Sequence, residues 1–79
     1  MNVYPNPAED RIVISGLRAN ADCKIVVQNS LGMMVLSEMQ LRSNLLGECD
    51  IGVADLSSGI YFIQVKEDAR IKEAKFVKQ

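Results

Sequence analysis

The residues of this chain whose types and spacing could do chemistry are few: Cys23, Cys49, Asp50, Asp55, Tyr61 and the lysines of the last fourteen positions. No His occurs, which removes the commonest general base and the usual zinc or copper ligand. Hydrolytic triads of the usual kind are therefore excluded. The two cysteines form no CxxC pair, and neither GxGxxG nor GxxxxGK[ST] is present, so the sequence offers no metal-binding or cofactor-binding pattern. Asp50 and Asp55 could be imagined as an acid/base pair, but Asp50 alternates outward from a strand and Asp55 stands at a turn, and solvated carboxylates account for both. Tyr61 has no partner base, and a lone phenol is not a mechanism. Cys23 and Cys49 fall on inward positions, where small buried hydrophobes are the plain reading. In an exported protein they would instead form a bridge if their α-carbons lay within about 7 Å. Sequence spacing alone does not establish that proximity, so free thiols are favoured.

Such sparse chemistry suits the size of the chain. Its 79 residues allow one domain, and a domain this small buries only roughly 60% of its unfolded surface. Almost every apolar position must then go into the core, leaving little for a deep active site. The 48% hydrophobic and 24% charged fractions are those of a folded domain, not a disordered one. No apolar run approaches the ~20 residues of a membrane-spanning helix, and the N-terminus lacks the basic head and apolar block of a secretory signal. A net charge of −1 gives no broad cationic surface for nucleic acid. The charge is uneven, however. Lys66, Arg70, Lys72, Lys75 and Lys78 crowd the end of the chain against only Glu67, Asp68 and Glu73, so that segment is basic while the rest is acidic.

The elements that would position these residues are strands. Runs such as Arg11 to Ser15, Cys23 to Gln28 and Ile60 to Lys66 are short, β-branched or aromatic, and closed by turn residues. Punctuators recur at Pro5-Asn6-Pro7, Ser15-Gly16, Asn29 to Gly32, Asn44 to Gly47, Ser57 to Gly59 and Glu67 to Ala69. The pattern predicts strands at 2–4, 10–15, 22–28, 33–41, 47–53, 59–66 and 70–78, an all-β sandwich or barrel. A period of two places Ile12 and Ile14; Cys23, Ile25 and Val27; Cys49, Ile51 and Val53; and Tyr61, Ile63 and Val65 on inner faces. In 33–41 the sets Met33, Val35, Met39 and Met34, Leu36 compete for the core, which a bulge would reconcile.

Two motifs are structural on their chemistry. Pro5 and Pro7 fix φ near −65° and force an extended or turned entry with few ladder donors, suited to a sheet edge. In Asp55-Leu56-Ser57-Ser58-Gly59-Ile60-Tyr61 the spacing predicts a tyrosine corner, the hydroxyl of Tyr61 turning back to the backbone upstream, with Leu56 plugging the core and Gly59 permitting the reversal.

Together, Tyr4-Pro5-Asn6-Pro7-Ala8, Lys24-Ile25-Val26-Val27 with Ser30-Leu31-Gly32 and Val35, Ile51 through Asp55-Leu56-Ser57-Ser58-Gly59-Ile60-Tyr61-Phe62-Ile63-Gln64-Val65, and Lys75-Phe76-Val77-Lys78 resemble a type IX secretion system (Por secretion system) C-terminal sorting domain, type A. The resemblance covers essentially the whole chain; cysteines lie outside the family pattern. It implies an immunoglobulin-like β-sandwich of about seven antiparallel strands, with no enzymatic activity and no cofactor. Residues 1–79 would be a single sorting domain from a larger secreted protein. Its N-terminal cargo would pass through the periplasm and the outer-membrane translocon to the cell surface or the medium. There a sortase-like surface peptidase would remove the domain at a bond upstream of Tyr4, outside this sequence. The family's terminal motif falls on Lys75, Phe76, Val77, Lys78 and Gln79, the expected translocon-recognition residues; Tyr4, Pro5, Asn6, Pro7, Gly32, Asp55, Leu56, Gly59 and Tyr61 fall on structural positions.

The residues themselves suggest how recognition would work: a terminal strand carrying Lys72, Lys75 and Lys78 beside Ile71, Ala74, Phe76 and Val77 can pair with a partner's sheet edge while its lysines steer toward an acidic surface. Strand 2–4 or 70–78 could equally pair with a second copy. The alternative function is an immunoglobulin- or fibronectin-like ligand-binding or spacer module of a surface protein.

Overall fold

A computed structural model describes residues 1–79, the side chains of residues 38–40 excepted. Seven strands are formed: β1 (Asn2–Tyr4), β2 (Arg11–Ser15), β3 (Asp22–Asn29), β4 (Met34–Arg42), β5 (Cys49–Gly52), β6 (Gly59–Glu67) and β7 (Arg70–Lys78). They pair into a three-stranded sheet, β1-β2-β5, and a four-stranded sheet, β4-β3-β6-β7. Every ladder is antiparallel.

The inner faces follow the alternation expected from the sequence. Ile12, Ile14, Cys49 and Ile51 of the three-stranded sheet, with Val53 just beyond β5, meet Cys23, Ile25, Val27, Tyr61, Ile63, Val65 and Phe76 of the four-stranded sheet in one buried cluster. Because the side-chain period is two, a register slip of one residue would expose each set, so burial and pairing fix one another.

Strand ends depart from the expected bounds by one or two residues, and at the starts of β4 and β5 the cause lies in two loops of the same chemistry. In Asn29-Ser30-Leu31-Gly32 the Asn29 Oδ1 accepts from the N–H groups of Leu31 and Met33; in Asn44-Leu45-Leu46-Gly47 the Asn44 Oδ1 accepts from Leu46 and Glu48. The loops thus hold Met33 and Glu48, leaving Met34 and Cys49 to begin their strands. At Gly47 (φ +74°) a Cβ would stand 2.3 Å from the Leu17 carbonyl oxygen, so only glycine fits. The expected irregularity in β4 is present. Val27 pairs with Leu36 and Gln28 with Met34, skipping Val35, and a second shift falls between Cys23 and Ile25. Leu36 packs partly against the core while Met33, Met34 and Val35 are exposed; the side chain of Met39 lies outside the described residues.

Strand β7 divides the terminal residues between two faces. Lys72, Lys75 and Lys78 do not share a face, since Lys72, Ala74, Phe76 and Lys78 have one parity and Ile71, Lys75 and Val77 the other. Phe76 is wholly buried and Lys78 only 8% exposed, while Ile71 is 61% exposed.

Candidate functional site

The candidate site is the outer face and free edge of β7, the strand carrying most of the expected recognition residues. β7 pairs with β6 along its whole length, from Gly59 opposite Lys78 to Glu67 opposite Arg70. The register sets Lys75 across from Phe62 and Val77 across from Ile60. Ile60, Phe62 and Val77 are all exposed large hydrophobics, so with Lys75 they form an outward patch, apolar with one cation. A shallow groove beside it is lined by Gln28, Phe62, Gln64, Glu73 and Lys75. Of the terminal five residues, then, Lys75, Val77 and Gln79 face solvent, whereas Phe76 and Lys78 point inward. Phe76 stacks on Tyr61 with ring centroids 5.5 Å apart, and the Lys78 ammonium donates to the Gln79 carbonyl at 2.9 Å.

β7 is an edge strand by sheet order, but part of that edge is already occupied. The chain leaves β1 through Pro5-Asn6-Pro7, both prolyl bonds being cis, and crosses to the other sheet. There Asn6 Oδ1 accepts the Val77 N–H at 2.9 Å. The Ala8 N–H donates to the Val77 carbonyl at 2.7 Å and the Gln79 N–H to the Ala8 carbonyl at 2.8 Å. Ala8 is wholly buried and forms a parallel bridge with Lys78. The proline segment is thus a clasp holding the end of β7 to the sandwich. Strand addition to this edge is confined to the stretch before Val77, where alternation turns the backbone groups of Ile71, Glu73 and Lys75 outward.

The remaining motif residues support this frame. The Tyr61 hydroxyl donates to the Ser57 carbonyl at 2.6 Å, closing the corner over the Asp55-Leu56 turn, and Leu56 packs against the core. The Tyr4 hydroxyl donates to Glu48 Oε2 at 2.8 Å; that hydrogen bond, with burial and the charge of Glu48, pushes the phenol above its ordinary value. Gly32 takes φ +83° in the β3–β4 turn and Gly59 opens β6. Asp55 is exposed, and Asp50 pairs across β2 with Arg11 at 2.9 Å, so the two carboxylates do not converge.

Two buried polar residues were not singled out in the sequence. Glu67, 5% exposed, accepts from the Arg18 N–H at 2.7 Å and pairs with the Lys72 ammonium at 3.1 Å. Burial pushes its carboxyl up, but the bonds from Arg18 and Lys72 and their charges outweigh it and hold the group below its usual value. Glu67 continues the inward series Tyr61, Ile63, Val65, so parity could have found it. Ser43 accepts from the Ala21 N–H at 3.0 Å and donates to the Arg18 carbonyl; nothing in its neighbourhood in sequence marks it.

Cys23 and Cys49 are both buried with Sγ atoms 3.6 Å apart. Among the described residues no group of three or more His, Cys, Asp or Glu is placed to hold a metal ion. What the surface offers is the exposed apolar patch of Ile60, Phe62 and Val77 with Lys75 beside it. In comparisons with known proteins, no curated protein sequence matches the chain. Residues 2–79 match the family described as the secretion system C-terminal sorting domain.

Proposed function

Because the chain belongs to the family of secretion system C-terminal sorting domains, those of type IX secretion, we propose that residues 1–79 are the sorting domain of a longer exported protein, read by the outer-membrane translocon through the exposed half of β7. The family is one of sorting signals and not of enzymes. Its role implies engagement of the secretion machinery, an N-terminal cargo, and export to the cell surface or the medium. The match over residues 2–79 is the observation that carries the reading.

The finer steps are our inference. Cargo waits in the periplasm, the translocon binds the folded domain, and a sortase-like surface peptidase cuts upstream of the proline clasp. An immunoglobulin-like arrangement is supported by the three-plus-four strand order and the tyrosine corner. Recognition of the terminal motif divides by burial: Lys75 and Val77, beside Phe62 and Ile60, meet the translocon, while Phe76 and Lys78 hold the strand in place. The free edge at Ile71 to Lys75 is where a partner strand, or a second copy, would add.

The test is a periplasm-targeted reporter fused upstream of residues 1–79 in a bacterium with a type IX system. Removing residues 75–79 is expected to abolish surface export, and Lys75→Glu with Val77→Asp to reduce it while circular dichroism of the isolated domain stays unchanged. Undiminished export after the deletion would refute the sorting role. A normal response to the surface pair would refute the assignment of the face.

A further inference from the structure

The chemistry that sorting leaves unused lies between the sheets. Cys23 is the second residue of β3 and Cys49 the first of β5, and these strands belong to different sheets. Their side chains are 6% and 5% exposed, and their sulfurs lie 3.6 Å apart. A disulfide is about 2.05 Å long, so closure asks for an approach of about 1.5 Å between the sulfurs. No β-ladder joins the two sheets. The clasp of Ala8 on Val77 and Gln79 lies at the end of the sandwich where β6 begins. The cysteines sit at the other end, since Lys24 pairs with Lys66 near the end of β6. They stand just past the crossovers 16–21 and 43–48 that carry the chain from one sheet to the other, so a bridge would join the two sheets directly at the point where both crossovers end.

We propose that Cys23 and Cys49 form an intersheet disulfide in the exported domain. This rests on the export reading for its oxidising compartment. The reaction is thiol–disulfide exchange with a disulfide-bearing oxidant. One thiolate attacks a sulfur of that disulfide and expels a thiolate. The second cysteine then displaces the remaining oxidant half. In sum one S–S bond forms and one breaks, and the two electrons and two protons leave on the oxidant's two sulfurs as thiols.

Timing follows from burial. Burial, aided by the hydrogen bond to Cys49, pushes the Cys23 thiol up to about 12, and burial raises Cys49 as well. Exchange needs the thiolate. The folded dithiol is thus a poor nucleophile, and the bridge forms while the sheets are still apart or transiently open. Once closed, the same burial shields it from reductants, so oxidation acts as a one-way lock set during folding outside the cytoplasm.

The experiment uses the purified 79-residue chain, unfolded in urea with reductant and then refolded with oxidised glutathione or with dithiothreitol. After oxidative refolding, thiol titration under denaturing conditions should find no free thiol. The monomer's mass should be lower by two hydrogens, and it should melt higher than the reduced form by roughly 10–20 °C, as expected for closing a loop of this length in a small domain. The double variant Cys23→Ala, Cys49→Ala should show no dependence on oxidant. The wild-type comparison needs no variant and decides the matter should that one fail to fold. Persistent free thiols, glutathione adducts or disulfide-linked dimers as the main product, or equal melting of the two forms, would each overturn the proposal. None of these readouts involves secretion. A failure here leaves the sorting role untouched, and a failure of reporter export leaves the measured bridge standing.

Discussion

Single side chains in this domain satisfy backbone groups at the places where strands cannot. The Tyr61 hydroxyl bonded to the Ser57 carbonyl is one such case. Tyr61→Phe removes it while keeping the stack on Phe76, and is expected to cost about 1 kcal/mol, read as a lower urea midpoint with an unchanged slope. Glu67 is another, with a sign that can be tested. Its carboxyl is held below the usual value in the folded state. The stabilisation is therefore present above the unfolded value and lost as pH falls through the folded one. The urea midpoint should drop between about pH 5 and pH 3, and Glu67→Gln should flatten that drop while lowering the midpoint at neutral pH. Of these two residues only Tyr61 was legible as a site from its spacing. Glu67 is a charge on an inward position, and while Lys72 stands on the next strand of the same hairpin, its other partner, Arg18, comes from the distant β2–β3 connection.

At the scale of elements, β7 has two roles that the sequence runs together. Its inward residues anchor it and its outward residues are available to a partner. The proline segment then decides how much of its edge is free. Asn6 supplies the acceptor for the Val77 N–H, so Asn6→Ala leaves an edge donor to water and removes one bond of the clasp. The expected loss is about 1 kcal/mol of stability, together with faster hydrogen exchange at Val77 and Gln79 and little change in the β3 amides. Unchanged exchange at the end of β7 would count against the clasp. The prolines announced an extended entry at an edge. That this entry would seal the last strand of the opposite sheet was not legible, because residues 6 and 77 meet only once both sheets are stacked.

For the whole molecule, smallness makes folding and signalling hard to separate. A domain of this length has on the order of 4–12 kcal/mol of stability, and Phe76→Ala, emptying a wholly buried position, costs about 3–5 kcal/mol. That variant should populate the unfolded state at 37 °C, seen as lost near-ultraviolet dichroism and rapid proteolysis. Lys75→Ala should melt within a degree or two of the parent. Loss of export through Phe76 thus reports the fold, and loss through Lys75 reports recognition.

The sequence alone determined the strands, their inner faces and the tyrosine corner, because each follows from a period of two or a spacing of a few residues along one stretch of chain. It also carried the family likeness, through motifs local enough to be read in order. Only the tertiary structure decided that Cys23 and Cys49 touch, that Glu67 is neutralised by Arg18 and Lys72, and that the clasp divides the last strand into a sealed and an open part. The cysteine contact, the Arg18 bond to Glu67 and the clasp each depend on how two sheets with no ladder between them come to rest on one another, which is set by packing across the whole core and not by any local pattern.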